Sequence, residues 1–516
     1  MKLLKILLFL FAAQALWTET SKLTVQFSTA HINWNPHYAY TTTEAQIFTA
    51  LYEGLTIFHP ATLEPIPGAA EKWTISEDGL TITFTLRGNL RWSHGEAITA
   101  KDFKNSWLRL LSPDTKAEYA SLLDDIKGAR EYRIGQTGPE AVGIKALDNS
   151  TLIVQLKQPS PQFFAILCHY SFVPVHGIYR NLADWSANPS VPVNGPFVIR
   201  KRSAGEVVLG KNPYYWDAEN IKLDELHLLF SDNPDEIIAK FNRFEVDWVA
   251  SGIKITALGI PEALVTSPQF STTYYYFSNK GKAWSNGNIR RALAMLLPWE
   301  DIRRELLIPG TSLVPPIPEY PGIDSGFPPP TERKSEALRL LKEAGHPDGT
   351  GLPPLTVLVP AEDIVTDAML EVWQAELKLR VNLDVVPFPN YYSSVKQGHY
   401  DIAMLTWTGD YADPQTFLGM WTSASSFNEA GFSSTEFDTL IKESALLPHQ
   451  ERFNKLSEAE KILLHSGQVM PIEHFPAVNI IDRRFVEGWY PNVLDIHPFK
   501  NMVRRKGYKI PGVVKR

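Results

Sequence analysis

A single cysteine, Cys168, stands in a chain of 516 residues. No intrachain disulfide can form, so the fold must be held by its buried core alone. A chain this long can supply that core without covalent staples, and at roughly 100–200 residues per domain it provides for about three domains. Hydrophobic residues make up 44% and charged residues 21%. That balance belongs to soluble globular proteins and excludes disorder, collagen and coiled coil as the main architecture. Cys168 follows the apolar run from Phe163 to Leu167, which makes it a buried, inert thiol rather than a nucleophile. The net charge is 50 − 57 = −7, with no basic block. Nucleic-acid binding is excluded, because neutralising phosphates dominates that affinity. The 38 prolines and 14 tryptophans point to rigid loops and a broad aromatic-lined surface.

The N-terminus reads as an export signal. Lys2 and Lys5 precede an apolar run from Ile6 to Ala13, and Ala13-Gln14-Ala15 has the small-x-small pattern of a cleavage site. The run falls well short of the ~20 residues that a bilayer-spanning helix needs, and no other segment reaches that length. A buried or amphipathic first helix is the competing reading. The expectation is a signal peptide over residues 1–15, a mature chain starting near Leu16, and no cysteine there to carry a lipid. A freely soluble periplasmic protein follows.

Hydrophobic patterning places the elements. Thr81 to Leu86 alternates, with Ile82, Phe84 and Leu86 on one face, which predicts a half-buried strand. Thr151 to Leu156 repeats the pattern. Between them Thr99-Ala100-Lys101-Asp102 opens a helix through Phe103, Trp107, Leu110 and Leu111, with a Thr N-cap and an acid in the first turn. Pro113 ends it. Further on, Pro-rich stretches at 315–318 and 328–330 precede a helix over 332–344 that stops at Gly345. A strand over 355–359, a helix through Val372 and Trp373, and a strand over 381–386 then predict an α/β layer with a parallel pair. The fold class is α/β, with a strand-rich insertion early in the chain and no internal repeat.

Catalytic and metal motifs are missing. There is no P-loop, G-x-S-x-G, H-E-x-x-H or C-x-x-C pattern. The 13 histidines are scattered, none of them paired at helical spacing, and His94 reads as a turn residue rather than a ligand. No metal site, cofactor or catalytic residue is expected.

Arg91-Trp92-Ser93-His94-Gly95-Glu96-Ala97-Ile98-Thr99-Ala100-Lys101-Asp102-Phe103 closely resembles the signature of bacterial extracellular solute-binding proteins of family 5, the peptide-binding components of ABC importers. His94 replaces the usual acid and Ala97 the usual proline. Other blocks agree in order: Leu51-Tyr52-Glu53-Gly54-Leu55, Val193-Asn194-Gly195-Pro196-Phe197, Asn212-Pro213-Tyr214-Tyr215-Trp216-Asp217, Thr273 to Tyr276 with Asn279 and Arg290 to Leu293, and Glu336 to Pro347. The resemblance implies a two-lobe periplasmic-binding-protein-like fold of the cluster C type, with an additional strand-rich domain. Lobe I is expected over residues 16–55, 175–275 and 490–516, the extra domain over 56–174, and lobe II over 276–489. Ligand would be enclosed as the lobes close about a hinge.

Trp407-Thr408-Gly409-Asp410-Tyr411-Ala412-Asp413-Pro414 is similar to the block whose first acid, in peptide-binding members, holds the peptide's α-ammonium group. That role falls to Asp410. A buried ammonium needs a compensating charge, and a carboxylate offers several lone pairs. Gly409 beside it would let a ligand backbone come close, although a Gly-Asp pair also suits a plain turn. Trp407 and Tyr119 are pocket candidates that would serve equally as core aromatics. Thr408 and Ile32 are main-chain candidates, since extended peptides pair with strand edges. Tyr274 and Tyr276 are further candidates for the cleft lining. Oligopeptide-binding members commonly carry Arg three residues before the Trp, where this chain has Met404. The preceding stretch offers only Lys396 as a cation.

Three functions compete on these residues. The first is a monomeric periplasmic receptor that passes peptides to the inner-membrane permease subunits of an ABC importer. The second is a receptor of the same family for nickel complexes, haem, sugars or cell-wall peptides. The third is a secreted hydrolase with a dispersed acid pair. Asp410 disfavours ligands without an amine, and the scattered histidines disfavour direct metal capture.

Overall fold

The computed structural model describes residues 21–505, except 29–31, 40, 178–190, 280, 282, 305, 324–325, 388–389, 424 and 426. The expected signal peptide lies outside the described residues. No helix among those described is long and apolar enough to cross a membrane.

The inserted domain follows local rules closely. Thr81–Leu86 buries Ile82, Phe84 and Leu86 and pairs antiparallel with Ala70–Ile75 on one side and Thr151–Gln155 on the other. Ile144–Ala146 completes a four-stranded sheet. Helix Ala100–Leu110 lays Phe103, Trp107 and Leu110 into the core. Its start is fixed by Asp102, whose carboxylate accepts the Thr99 N–H and hydroxyl, each at 2.8 Å.

The rest of the chain builds one ten-stranded sheet. Its order is Val381–Val385, Leu355–Val359, Ile402–Thr408, Leu264–Phe277, Val469–Ile481, Trp248–Val249, Lys22–Phe27, Glu225–Phe230, Glu206–Lys211 and Phe197–Arg202. Leu355–Val359 runs parallel to both Val381–Val385 and Ile402–Thr408, the βαβ arrangement that the strand–helix–strand pattern predicts. Lys22–Phe27 runs parallel to its neighbours in the other half.

Two long strands carry the chain between the halves. Leu264 to Pro268 pairs with Pro476 to Ile480, and Thr272 to Tyr276 with Val469 to His474; the register shifts between Pro268 and Thr272. Only beyond this irregularity, from Ser271, does the first crossing strand pair with Ile402–Thr408. A bulge bends a strand and sharpens its twist, and this one falls on both long strands, at 268–272 and 474–476, midway across the sheet.

The blocks that carry the family resemblance are largely joints of the fold. Asn194 exchanges two hydrogen bonds with the Glu53 backbone, at 3.0 and 2.7 Å. Buried Glu53 accepts from the Trp216 indole at 2.5 Å, from the Tyr215 hydroxyl, and from Lys500 at 3.1 Å. Gly195 lies so close to the Leu51–Tyr52 backbone that a Cβ there would sit 2.5 Å from it. Cys168 is half-buried, its Sγ directed at the Phe164 carbonyl 3.3 Å away, and burial pushes its thiol pKa up. A thiol held protonated in this way is a weak nucleophile.

Candidate functional site

Asp410 sits where the crossing bends. The Phe270 N–H bonds the Val493 carbonyl at 2.6 Å, and the Phe270 carbonyl accepts the Gly409 N–H at 2.7 Å. The Asp410 N–H then bonds Thr416 Oγ1 at 3.3 Å. The residue is thus tied to the irregular stretch of the long strand through its neighbour Gly409. Gly409 is required for this by close packing. A Cβ on it would lie 2.4 Å from the Phe270 ring and 2.8 Å from the Thr416 methyl. Its missing side chain makes room for these two neighbours.

The block's two acids have different surroundings. Asp413 forms a bidentate pair with buried Arg452, at 2.6 and 2.8 Å, and its carboxylate also caps the Gln415 N–H at 2.8 Å. The Asp410 carboxylate has no hydrogen bond or ion pair among the described residues. Burial raises its pKa from 3.8 to about 6, because a desolvated carboxylate without a cation disfavours its charge.

An aromatic group forms within the inserted segment. Tyr119 packs on His169 and Tyr170, with ring centroids 4.4 and 6.0 Å away. Tyr170 donates to the Ala39 carbonyl at 3.1 Å. Burial first, then Tyr119 and the charges of Glu44 and Asp410, hold the Tyr170 phenol above its ordinary pKa. Tyr119 and Tyr170 thus come together from separate parts of the inserted segment, and the charge of Asp410 is felt at Tyr170. Sequence reasoning missed His169 and Tyr170; their signal was an aromatic pair next to the point where the inserted segment returns.

Trp407 packs against the apolar cluster that the inserted domain shares with the second half, and its ring meets Phe427 at 6.0 Å. Its indole N–H is buried without a partner among the described residues, as are those of Trp421 and Trp489. Thr408 is exposed, its hydroxyl 2.9 Å from that of Ser271. Strand Ile402–Thr408 pairs with Leu355–Val359 only at Ile402 and Ala403. The Met404 carbonyl on this side accepts the Tyr391 hydroxyl, which also reaches the Leu358 carbonyl at 3.1 Å; from Leu405 to Thr408 the strand is laddered on one side only among the described residues, leaving a short edge of backbone donors and acceptors. Ile32 lies in the first half, its side chain against that core, its main chain without a hydrogen bond among the described residues.

Tyr274 and Tyr276 do not line a cleft. They are 1% and 3% exposed, packed on Trp421 at 6.1 and 5.8 Å, and Tyr276 shares a 2.8 Å hydrogen bond with Tyr400. Their strand is covered on both faces, so alternate residues all reach core. Met404 packs against the other core of the second half, on the face away from Trp407, and Lys396 is exposed on helix Tyr391–Gln397.

A mixed ten-stranded sheet spanned by two long strands, with a separate inserted domain and no ion pair to the Asp410 carboxylate among the described residues, has the make-up of a two-lobe solute receptor. The chain belongs to the bacterial extracellular solute-binding proteins, family 5, whose middle region matches residues 64–429. It is 28% identical over 502 residues to the oligopeptide-binding protein OppA of Bacillus subtilis, covering 93% of this chain and 92% of that one. It is 29% identical over 467 residues to the periplasmic murein peptide-binding protein MppA of Escherichia coli, covering 86% and 85%. Among solved structures, the unliganded open form of the murein tripeptide-binding protein MppA superposes with a TM-score of 0.81 at 26% identity, covering 94% of this chain and 98% of that one. Haemophilus influenzae OppA in complex with the peptide RPPGFSPFR gives 0.71 at 26% identity, covering 94% and 99%.

Proposed function

We propose that this protein is an exported receptor that captures peptides between its two lobes and delivers them to the permease of an ABC importer. The observation that carries the reading is the Asp410 carboxylate, desolvated and without a cation among the described residues. A peptide α-ammonium group supplies the missing charge. The open edge of residues 405–408 then takes the peptide backbone as an added strand, which gives affinity without demanding particular side chains. The Trp407 indole N–H and the Ile32 main chain offer further partners from the two sides, and the Tyr119–Tyr170 pair walls the end where the ammonium sits.

In this reading lobe I comprises residues 16–55, 175–275 and 490–516, the inserted domain 56–174 and lobe II 276–489, and closure turns on the two crossing strands. Export uses residues 1–15 as a cleaved signal, the protein works as a periplasmic monomer, and it has no catalytic role. Calorimetry with a short unmodified peptide tests the function. Saturable one-to-one binding, compaction in small-angle scattering and intact peptide after long incubation are expected. No binding, or steady hydrolysis of a labelled peptide, refutes it.

Met404 favours tolerance at the ligand's far end. Where the resemblance leads one to expect an Arg, a thioether offers no partner to a ligand carboxylate, so capped, longer or cell-wall-derived peptides fit the same site.

A further inference from the structure

The turn that departs from the family signature meets a second histidine. His94 Nε2 lies 3.0 Å from Glu96 Oε2, and His176 Nε2 lies 3.1 Å from the same oxygen. One ligand atom from each of the three residues falls within 4.8 Å of the others. Glu96 and His176 are 80 residues apart in sequence, which is why histidine spacing along the chain does not reveal the group.

We infer that His94, Glu96 and His176 form a binding site for a divalent transition-metal ion of the zinc class. Two imidazole nitrogens and one carboxylate oxygen are a zinc donor set that leaves a fourth position for water. With metal–ligand bonds of roughly 2.0–2.2 Å, neighbouring donors around a tetrahedral ion stand about 3.3–3.5 Å apart. Both imidazole-to-carboxylate separations are already within a few tenths of an ångström of that edge. The donors are also held. The Ser93 N–H bonds the Val193 carbonyl at 2.8 Å, Arg91 braces the turn through the Gly95 carbonyl at 2.8 Å, and His176 stands edge-on to buried Trp92 at 5.1 Å. Side-chain exposure of 46% at His94 and 60% at Glu96 gives an ion access, while His176 at 13% anchors the site. Nitrogen donors and a low donor count disfavour calcium and magnesium, which take six or more oxygens. The ion would clip the signature turn of the inserted domain to the chain leaving that domain, so its expected effect is on stability rather than chemistry.

The test is zinc chloride titrated by calorimetry into chelator-treated, tag-free protein, alongside His94→Ala and His176→Ala. Wild type is expected to bind one zinc per chain, with each variant weakened about tenfold or more, at least the loss typical even of outer-shell changes. Zinc should also raise the unfolding midpoint of wild type and not that of His94→Ala, because a ligand stabilises only the state it binds. His94 lies exposed on a turn, so its variant keeps the test informative should His176→Ala fail to fold. No stoichiometric zinc uptake by wild type, unchanged uptake by both variants, or calcium binding of equal strength would each overturn the assignment.

Discussion

Asp410→Asn should move two properties in opposite directions. In the empty protein the carboxylate has a pKa of about 6 against an ordinary 3.8, so the folded state disfavours its charge. The sign follows from linkage: a folded pKa raised above the unfolded value gives stability that is present below about pH 4 and lost as pH rises through about 6. At 1.36 kcal/mol per unit the full shift is about 3 kcal/mol. The side chain keeps some contact with water, which discounts it to about 1–2 kcal/mol. Asn keeps nearly the same shape without the charge. The ligand-free variant should therefore unfold at higher denaturant than wild type at pH 8, with the difference gone at pH 4. Peptide binding should suffer instead. Leaving the ligand's buried ammonium unpaired costs roughly 3–5 kcal/mol, which at about 1.4 kcal/mol per tenfold is a hundredfold to a few-thousandfold loss of affinity. N-acetylating the peptide should weaken wild-type binding similarly and do little further harm in the variant, because contacting groups are not additive. Calorimetry on the four combinations reads this out. A plain turn predicts an unchanged affinity, since Asn suits turns as well as Asp does. That result, or simple additivity of the two losses, refutes the anchoring role.

Four further outcomes follow from the same geometry. Peptide affinity should fall as pH drops through about 6, where Asp410 takes up a proton, and titrations at pH 5 and 8 would show a flat profile if another group held the ammonium. Amidating the peptide's C-terminus should change affinity by less than about threefold, or under ~0.7 kcal/mol, because Met404 offers no partner to a carboxylate; a large loss would point to a cation elsewhere. Arg452→Met should destabilise by roughly 3–5 kcal/mol in urea unfolding, as it leaves Asp413 buried without its bidentate partner. Adding Asp413→Asn should recover part of that loss. Gly195→Ala should cost about 1–3 kcal/mol, the usual range for overpacking, because its Cβ would press on the Leu51–Tyr52 backbone; an unchanged unfolding midpoint would contradict that packing.

What the sequence made legible was set by local rules. Thr81–Leu86 alternates, helix Ala100–Leu110 carries its own cap, and Leu355–Val359 stands as a short apolar run beside a helix, so neighbours alone decide these elements. The crossing strands were not legible. The irregularity at Pro268–Thr272 arises from pairing with residues some two hundred positions later, which no local pattern encodes. Tyr274 and Tyr276 read as lining because aromatics suit both clefts and cores, and only the cover on both faces of their strand decides it. Asp410 was legible as a motif residue, while its difference from Asp413 rests on Arg452 reaching one acid and not the other. Gly409 was legible as indispensable, and the ring that makes it so, Phe270, lies far away in sequence.

The most direct test of the account is to purify the protein from an exporting host, release whatever it carries by denaturation, and identify the ligand by mass spectrometry. The account predicts a population of short peptides with free α-amino groups, which the same preparation of Asp410→Asn should carry in much smaller amount. A ligand that lacks an amine, or an identical peptide load on the two proteins, would contradict it.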